Sequence, residues 1–218
     1  MKKLIFTLFI VMGFLVEVEA QEIKYGIKAG VNMSDWHGDA NAALTDLLGI
    51  TKVLETKSNI GYHAGAYMTI PVGDRFFVEP AVMYSKKGMR LTESFLDNSF
   101  FNLEGELAVN SHYIDIPVVA KYMITPGLHV YAGPQVSYLA SNRLKAKAGI
   151  LGFNVSEGFD INSGFRSVDV GLTGGIGYQL ANGLNISAGY DHGLTSLDEN
   201  NFFNAYNRVV KASVGITF

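Results

Sequence analysis

The sequence contains no cysteine, so a disulfide framework, a thiolate nucleophile and a thiolate metal site are all closed to it. Tryptophan occurs once, at position 36, and proline five times in 218 residues. Charge is sparse: Asp, Glu, Lys and Arg make up 17% of the chain and leave a formal net charge of −3. The basic excess that marks nucleic-acid binding is missing, and no such partner is expected. Beyond the N-terminus no apolar run reaches the ~20 residues of a membrane helix. No phosphate loop, zinc signature or nucleotide motif occurs, so no cofactor and no metal centre is expected.

Glycine, by contrast, numbers 24, and aromatic residues reach 12%. Residues 1–20 are read first, as a cleavable signal peptide. Lys2 and Lys3 give the positive start, Leu4 to Val16 the apolar run, and Val18-Glu19-Ala20 a small-residue cleavage site before Gln21. An uncleaved span is the alternative, disfavoured by the short run. Residues 21–218 then form one domain.

Within that domain apolar residues alternate. In V-D-V-G-L-T-G-G-I-G-Y-Q-L, Val168, Val170, Leu172, Gly174, Ile176, Tyr178 and Leu180 share one strand face, and Asp169, Gly171, Thr173, Gly175, Gly177 and Gln179 the other. Ala181-Asn182-Gly183 supplies a tight turn, and Leu184, Ile186, Ala188 and Tyr190 continue the pattern on the way back. The same period predicts strands over Ile23 to Met33, Ile60 to Ile70, Phe76 to Lys87, His112 to Met123, Leu128 to Leu139 and Arg208 to Phe218, eight in all. The charged strand residues fall on the face opposite the apolar one: Lys24, Lys28, Glu79, Lys87, Asp115, Lys121, Asp169, Asp191 and Lys211.

A soluble sandwich would show the same alternation with its faces reversed. Three features favour an eight-stranded antiparallel up-and-down transmembrane β-barrel of the outer membrane of a Gram-negative bacterium. Short connections (Val72 to Arg75, Thr125 to Gly127, Ala181 to Gly183) alternate with long ones (Ser34 to Asn59, Met89 to Ser111, Ala140 to Phe165, Thr195 to Asn207), as periplasmic turns alternate with extracellular loops. Tyr25, Phe76, Tyr122, Tyr178 and Phe218 mark one aromatic girdle and Tyr62, Tyr84, Tyr138 and Tyr190 the other. Glycines crowd the charged face, where a narrow lumen needs room for long neighbours such as Tyr67, Tyr113 and Tyr131.

Phe76 to Gly88 (FFVEPAVMYSKKG), His112 to Tyr122 (HYIDIPVVAKY), Val130 to Leu139 (VYAGPQVSYL), VDVGLTGGIGYQL and the terminal NRVVKASVGITF together resemble the PorT-like outer-membrane β-barrel family of Bacteroidota. The resemblance spans residues 21–218. Ala81 departs from it: many members carry a carboxylate after the proline, where here Glu79 precedes it. The resemblance implies a barrel in the cell envelope, and an accessory role in type IX protein secretion as one possible task.

The nine lumen charges read either as an ion path or as a paired network filling a narrow interior, and pairing is favoured because buried charges need partners. A passive pore is disfavoured on the same ground. Asp191-His192 with Ser196 nearby is the one constellation resembling an enzyme site, that of a lipid-modifying enzyme; a rim histidine is the favoured reading, and no catalytic residue is assigned. Asp35, His37 and Asp39 have a spacing that could hold a divalent ion, but such loop spacings are common, and no metal is assigned. Trp36 is placed at the outer interface. Ala40 to Leu54 has helix-like apolar spacing, and Gly149 to Phe153 makes its loop locally apolar. The reading as a whole is a non-enzymatic barrel whose external loops bind a partner or ligand, or which supports envelope assembly. Its expected partners are outer-membrane lipids, other envelope or secretion proteins, and the assembly machinery that would read the C-terminal Phe218.

Overall fold

Alternation of apolar and polar residues favours extended backbone, and strand is the regular element throughout the described residues. The computed structural model describes residues 22–38, 55–98, 101–150, 153–160, 165–198 and 204–218, with backbone alone at 55–57, 91–98, 101–107, 144–150 and 153–160. Its strands are β1 (Lys24–Gly38), β2 (Glu55–Pro71), β3 (Phe76–Asn98), β4 (Phe101–Met123), β5 (Leu128–Ile150), β6 (Phe153–Asp160), β7 (Val168–Gln179), β8 (Leu184–Gly193) and β9 (Ala205–Thr217).

Strands β1 to β5 each pair antiparallel with the next. β7, β8 and β9 do the same, and β9 returns to β1 from Gly26↔Thr217 to Gly38↔Ala205. β5 completes the ring, its first half paired with β7 (Leu128↔Tyr178 to Tyr138↔Val168) and its second with β6 (Arg143↔Asp160 to Ile150↔Phe153). The result is a closed antiparallel barrel of eight strands, with β6 as an added piece on the same edge of β5 as β7. Closure leaves no unpaired edge around the ring, which is what a sheet in hydrocarbon requires.

The connections 72–75, 124–127 and 180–183 are tight and lie at one end. There Gly183 takes a φ of 86° and Gly127 one of 99°, in the left-handed region that glycine adopts without a Cβ penalty. Asn182 accepts a 3.1 Å hydrogen bond from the Leu184 amide, which fixes that turn.

Burial decides between sandwich and barrel. Val31, Val82, Leu172 and Val214 are exposed, whereas Asn32, His63, Asp115 and Thr173 are buried. A sandwich in water would reverse this. Among the described residues the interior holds one small apolar cluster, Tyr67, Ala81 and Met83. Trp36, Met89, Tyr113 and Val119 are buried apart from it, among a majority of polar side chains.

Two expectations need correction. Met89 to Ser111 is not an irregular loop: β3 and β4 run on as a paired hairpin from Lys87↔Ser111 to Asn98↔Phe101. β5 likewise continues to Ile150 and pairs with β6 as far as Ile150↔Phe153, so the described ends of the GILGF segment are strand. β3, β4 and β5 have 23 residues each, against the roughly 9–11 that a crossing needs. The strand reading stopped short because the alternation inverts. In the barrel the outer face is apolar (Val82, Tyr84, Ile114, Ile116). Past the outer aromatic ring, register sets Arg90, Thr92, Glu104, Glu106, Lys145 and Lys147 on that face, and Met89, Leu91, Leu107, Val109 and Ala146 on the inner one. A strand leaving lipid for water exchanges its polar face, and a search for apolar outer residues loses it there. Residues 1–20 and the segment 40–54 lie outside the described residues.

An arginine at Val214, in the apolar outer face, is expected to lower stability by about 2–4 kcal/mol if the site is near the bilayer midplane. Asp74→Arg, in an exposed turn, should leave stability nearly unchanged. Urea titration of protein refolded into lipid vesicles compares the two, and equal losses would mean that the outer face is wrongly assigned.

Candidate functional site

The lumen collects the charges from six strands and sorts them by height. Nearest the turns, Glu79 accepts from Lys28 at 3.0 Å and from Lys121 at 3.4 Å, one lysine on each carboxylate oxygen. The Lys28 ammonium also lies 4.9 Å over the Tyr67 ring, a cation–π contact. Higher up, Lys211 pairs with Asp191 at 2.6 Å. Higher still, Lys87 donates to Asp115 at 2.7 Å and lies 5.0 Å over the Tyr113 ring. Lys87 and Asp115 are both almost wholly buried. Two of the nine charges stand apart. Asp169 is held by neutral groups, the Thr195 hydroxyl at 2.6 Å and the Asn207 amide at 2.9 Å. Lys24 is exposed at the turn end of β1.

Close packing explains the inner glycines. A Cβ on Gly26 would strike the Tyr67 ring, and one on Gly175 would come within 2.6 Å of the Tyr131 hydroxyl. The aromatic side chains fill the space that these residues leave open.

Apart from Tyr67, which the sequence places in the lumen, the following lumen groups were not singled out from the sequence. His63 is buried between Asn32 Oδ1 at 2.6 Å and Ser213 Oγ at 2.8 Å. Tyr67 is fixed by Thr217 and by the Asn185 amide, both at 2.7 Å. Toward the outer mouth the filling turns neutral. Ser34 Oγ accepts from the Gly88 amide at 2.9 Å, Asn59 donates to Asn110 at 3.3 Å, and Ser111 donates to Asn142 at 2.9 Å. Gly88, at φ 145°, sits against Val109 O where any Cβ would clash. Parity was the available signal for Asn32, Ser34, Asn59, His63, Ser111 and Ser213, which fall on the charged face, but a search for charge passes over Asn and Ser. Asn110 and Asn142 have the opposite parity, Asn142 lying beyond a register shift between β4 and β5.

The girdle residues lie on the outer face. Tyr25, Tyr62, Phe76, Tyr84, Tyr138, Tyr178, Tyr190 and Phe218 are exposed. Tyr122 is partly covered by Phe76, ring centroids 4.7 Å apart. At the other end Tyr62 and Tyr84 lie 6.1 Å apart. Trp36 differs from its expected place at the interface. It shares parity with Asn32 and Ser34, is buried at the outer mouth, and packs 5.7 Å from Phe165.

Asp191 and His192 do not form a pair. Asp191 faces the lumen with Lys211, whereas His192 stacks on Tyr190 on the outer face, ring centroids 6.2 Å apart. Ser196 Oγ accepts from the Ala205 amide at 3.5 Å, and its carbonyl accepts from Arg166 at 3.0 Å. Asp35 and His37 share a face of β1, while Asp39 lies outside the described residues. Among the described residues no three His, Asp or Glu side chains are grouped to hold a metal ion.

A family model described as the outer membrane protein beta-barrel domain matches residues 19–199. The chain belongs to that family. Among solved structures this outer-membrane barrel is similar to Ail, the attachment invasion locus protein of Yersinia pestis. That match has 14% identity and a TM-score of 0.45, covering 91% of this chain and 100% of Ail. Neisserial surface protein A aligns at 14% identity and a TM-score of 0.48, with the same coverage of both chains. The outer membrane protease OmpT of Escherichia coli aligns at 8% identity and a TM-score of 0.35, covering 93% of this chain and 100% of the protease. No curated protein matches the chain in sequence.

What the lumen of this outer-membrane barrel can do follows from its voids. A cavity of about 490 Å³ opens at the turn end. Beyond it lie two small spaces of about 20 and 40 Å³, and the buried Lys87, Tyr113 and Asp115 stand on the far side. A hydrated ion has no continuous path through such a filling. In planar bilayers the purified monomer should show no sustained porin-like conductance; stable large-unit openings would contradict the packing described.

The Lys87–Asp115 pair provides a second check. Removing one partner strands a buried charge at a cost of about 3–5 kcal/mol, whereas replacing both by apolar groups can be neutral. Lys87→Met should therefore destabilise the refolded barrel strongly and Lys87→Met with Asp115→Leu much less, as read by urea titration in vesicles.

Proposed function

We propose that this outer-membrane barrel is a non-enzymatic binding protein whose external strand extension engages an envelope component. The observation that carries the reading is the prolonged sheet of β3, β4, β5 and β6 beyond the outer aromatic ring, with alternation inverted there. A barrel that serves only as a membrane plug has no need of strands more than twice the crossing length. In the extension the register aligns Met89, Leu91, Leu107, Val109, Leu144 and Ala146 on one face, continuous with the inner wall. The opposite face is charged, as suits water. Met89 and Val109, at the base of that face, are buried, so a partner would dock on the extension above them, a sheet held on a rigid scaffold.

Separation of Asp191 from His192 on opposite faces supports the non-enzymatic part of the reading. The PorT resemblance supports a partner within the envelope of a Bacteroidota cell, in assembly or in type IX secretion.

The lack of native cysteine makes the test clean, because one introduced thiol is the only label site. Glu106→Cys should react with a membrane-impermeant maleimide both in cells and in the purified barrel. Leu107→Cys should be protected in cells and reactive once purified. Equal reactivity of Leu107→Cys in the two settings would remove the partner from the account. Protection in both would assign the cover to the chain itself and equally reject the proposal.

A further inference from the structure

The cavity of about 490 Å³ at the turn end is a pocket rather than a simple mouth, and it carries unmet hydrogen-bonding capacity. Its wall is assembled from six strands, with Lys24 and Thr69 opposite each other on β1 and β2, Lys121 on β4, Gln179 on β7, Thr217 on β9, and Pro71, Phe77 and Met123 forming an apolar side. Two polar groups in it are buried and incompletely satisfied. Thr69 Oγ1 has no hydrogen-bond partner, although the residue is only 9% exposed. The Lys121 ammonium, on a residue only 5% exposed, has three donors, and its one acceptor is Glu79 Oε2 at 3.4 Å. Buried donors in native proteins are nearly always satisfied, and a charged one left short is costly.

The charge around the pocket is asymmetric. Glu79 is already matched by Lys28 on its other oxygen at 3.0 Å, so Lys121 is not needed to neutralise it. Lys24 adds a second cation, and Glu22 is the one anion that lines the space besides. The balance favours an incoming negative charge. Phe77, Pro71 and Met123 favour an apolar body on their side of the wall, while Gln179 and Thr217 line the rest. The volume lies within the range of small-molecule sites, roughly 300–1,000 Å³.

We propose that this pocket binds a carboxylate with a short apolar body, entering from the turn side, with its head on Lys121 and Thr69 and its body against Phe77 and Met123. The same chemistry is presented by a free short-chain acid and by the C-terminal carboxylate of an apolar peptide. Above the head, Tyr67 and the Glu79 pairs close the pocket, so the ligand is held and does not pass through. The site is independent of the external sheet and of any partner there.

The test uses the full-length barrel refolded in lipid nanodiscs with ¹³C-methyl-labelled methionine, probed with hexanoate, with neutral hexanamide, and with a short apolar peptide as free acid and as amide. Hexanoate should shift the Met123 methyl saturably and hexanamide should not. Thr69→Val and Lys121→Met should each weaken binding about tenfold, the scale of one charge-assisted hydrogen bond. Thr69→Val removes no charge and serves where Lys121→Met folds poorly. Tighter binding of the peptide acid than of hexanoate, lost in the peptide amide, would identify a chain terminus as the source; hexanoate binding as tightly as the peptide acid would identify a free acid. Equal shifts by hexanoate and hexanamide, affinities unchanged in Thr69→Val, or no saturable shift with any probe would overturn the proposal.

Discussion

Every other feature depends on the hydrogen-bonded seam between β1 and β9. In hydrocarbon a backbone amide without a partner costs several kcal/mol, so an open sheet of this length could not remain in a bilayer. Pairing from Gly26↔Thr217 to Gly38↔Ala205 removes both edges at once. Beyond that pairing, the Phe218 amide donates to Tyr25 O at 2.9 Å and the Tyr25 amide to Phe218 O at 3.2 Å, so the start of β1 and the residue after β9 are tied at the aromatic rim. With the ring closed at eight strands, the interior is narrow, and the inner face must be filled by side chains. Charged residues placed there have little water to turn to. Lys28, Lys121 and Glu79, then Lys211 and Asp191, then Lys87 and Asp115 pair because closure leaves them each other.

Much of this was legible in the sequence because a membrane strand has the simplest possible code. Period two assigns Val170 and Asp169 to opposite faces without any knowledge of the partner strand. The short turns around Gly127 and Gly183 were visible for the same reason, their glycine and asparagine being the residues that tight reversals require. Two kinds of information were not legible. The code carries no sign: where β3 leaves the apolar zone near Tyr84 the same alternation continues with its faces exchanged, and Met89 to Ser111 reads as a loop. Pairing partners were also hidden. Nothing local says that Asp169 will meet Thr195 and Asn207 rather than a lysine, or that Trp36 will lie against Phe165, because those contacts depend on shear around the ring.

The lumen shows how a polar interior substitutes for an apolar core. Stability here comes less from a dense apolar centre than from lipid contact outside and extensive hydrogen bonding inside. The neutral ring of Ser34, Asn59, Asn110, Ser111 and Asn142 near the outer mouth fits that rule. Its members combine donors and acceptors and need no counter-ion, which suits a level where Lys87 and Asp115 have already consumed the charge. Trp36 Nε1, Gln135 Oε1 and Thr69 Oγ1 depart from the rule, and beside Thr69, at the turn end, a pocket is found.

The length of β3 carries a mechanical consequence. From Tyr84 to Asn98 the chain covers about 45 Å, or about 35 Å of height at the tilt usual for such barrels. The hairpin tip therefore stands off from the lipid surface by more than the thickness of the hydrocarbon layer the protein crosses. A sugar coat of that depth would bury the rim of an ordinary barrel and leave this tip above it. The strand pairing that stiffens the extension, shifted in register at Ser94–Leu96 and at His112–Tyr113, would tie any load on it to the membrane anchor through backbone hydrogen bonds.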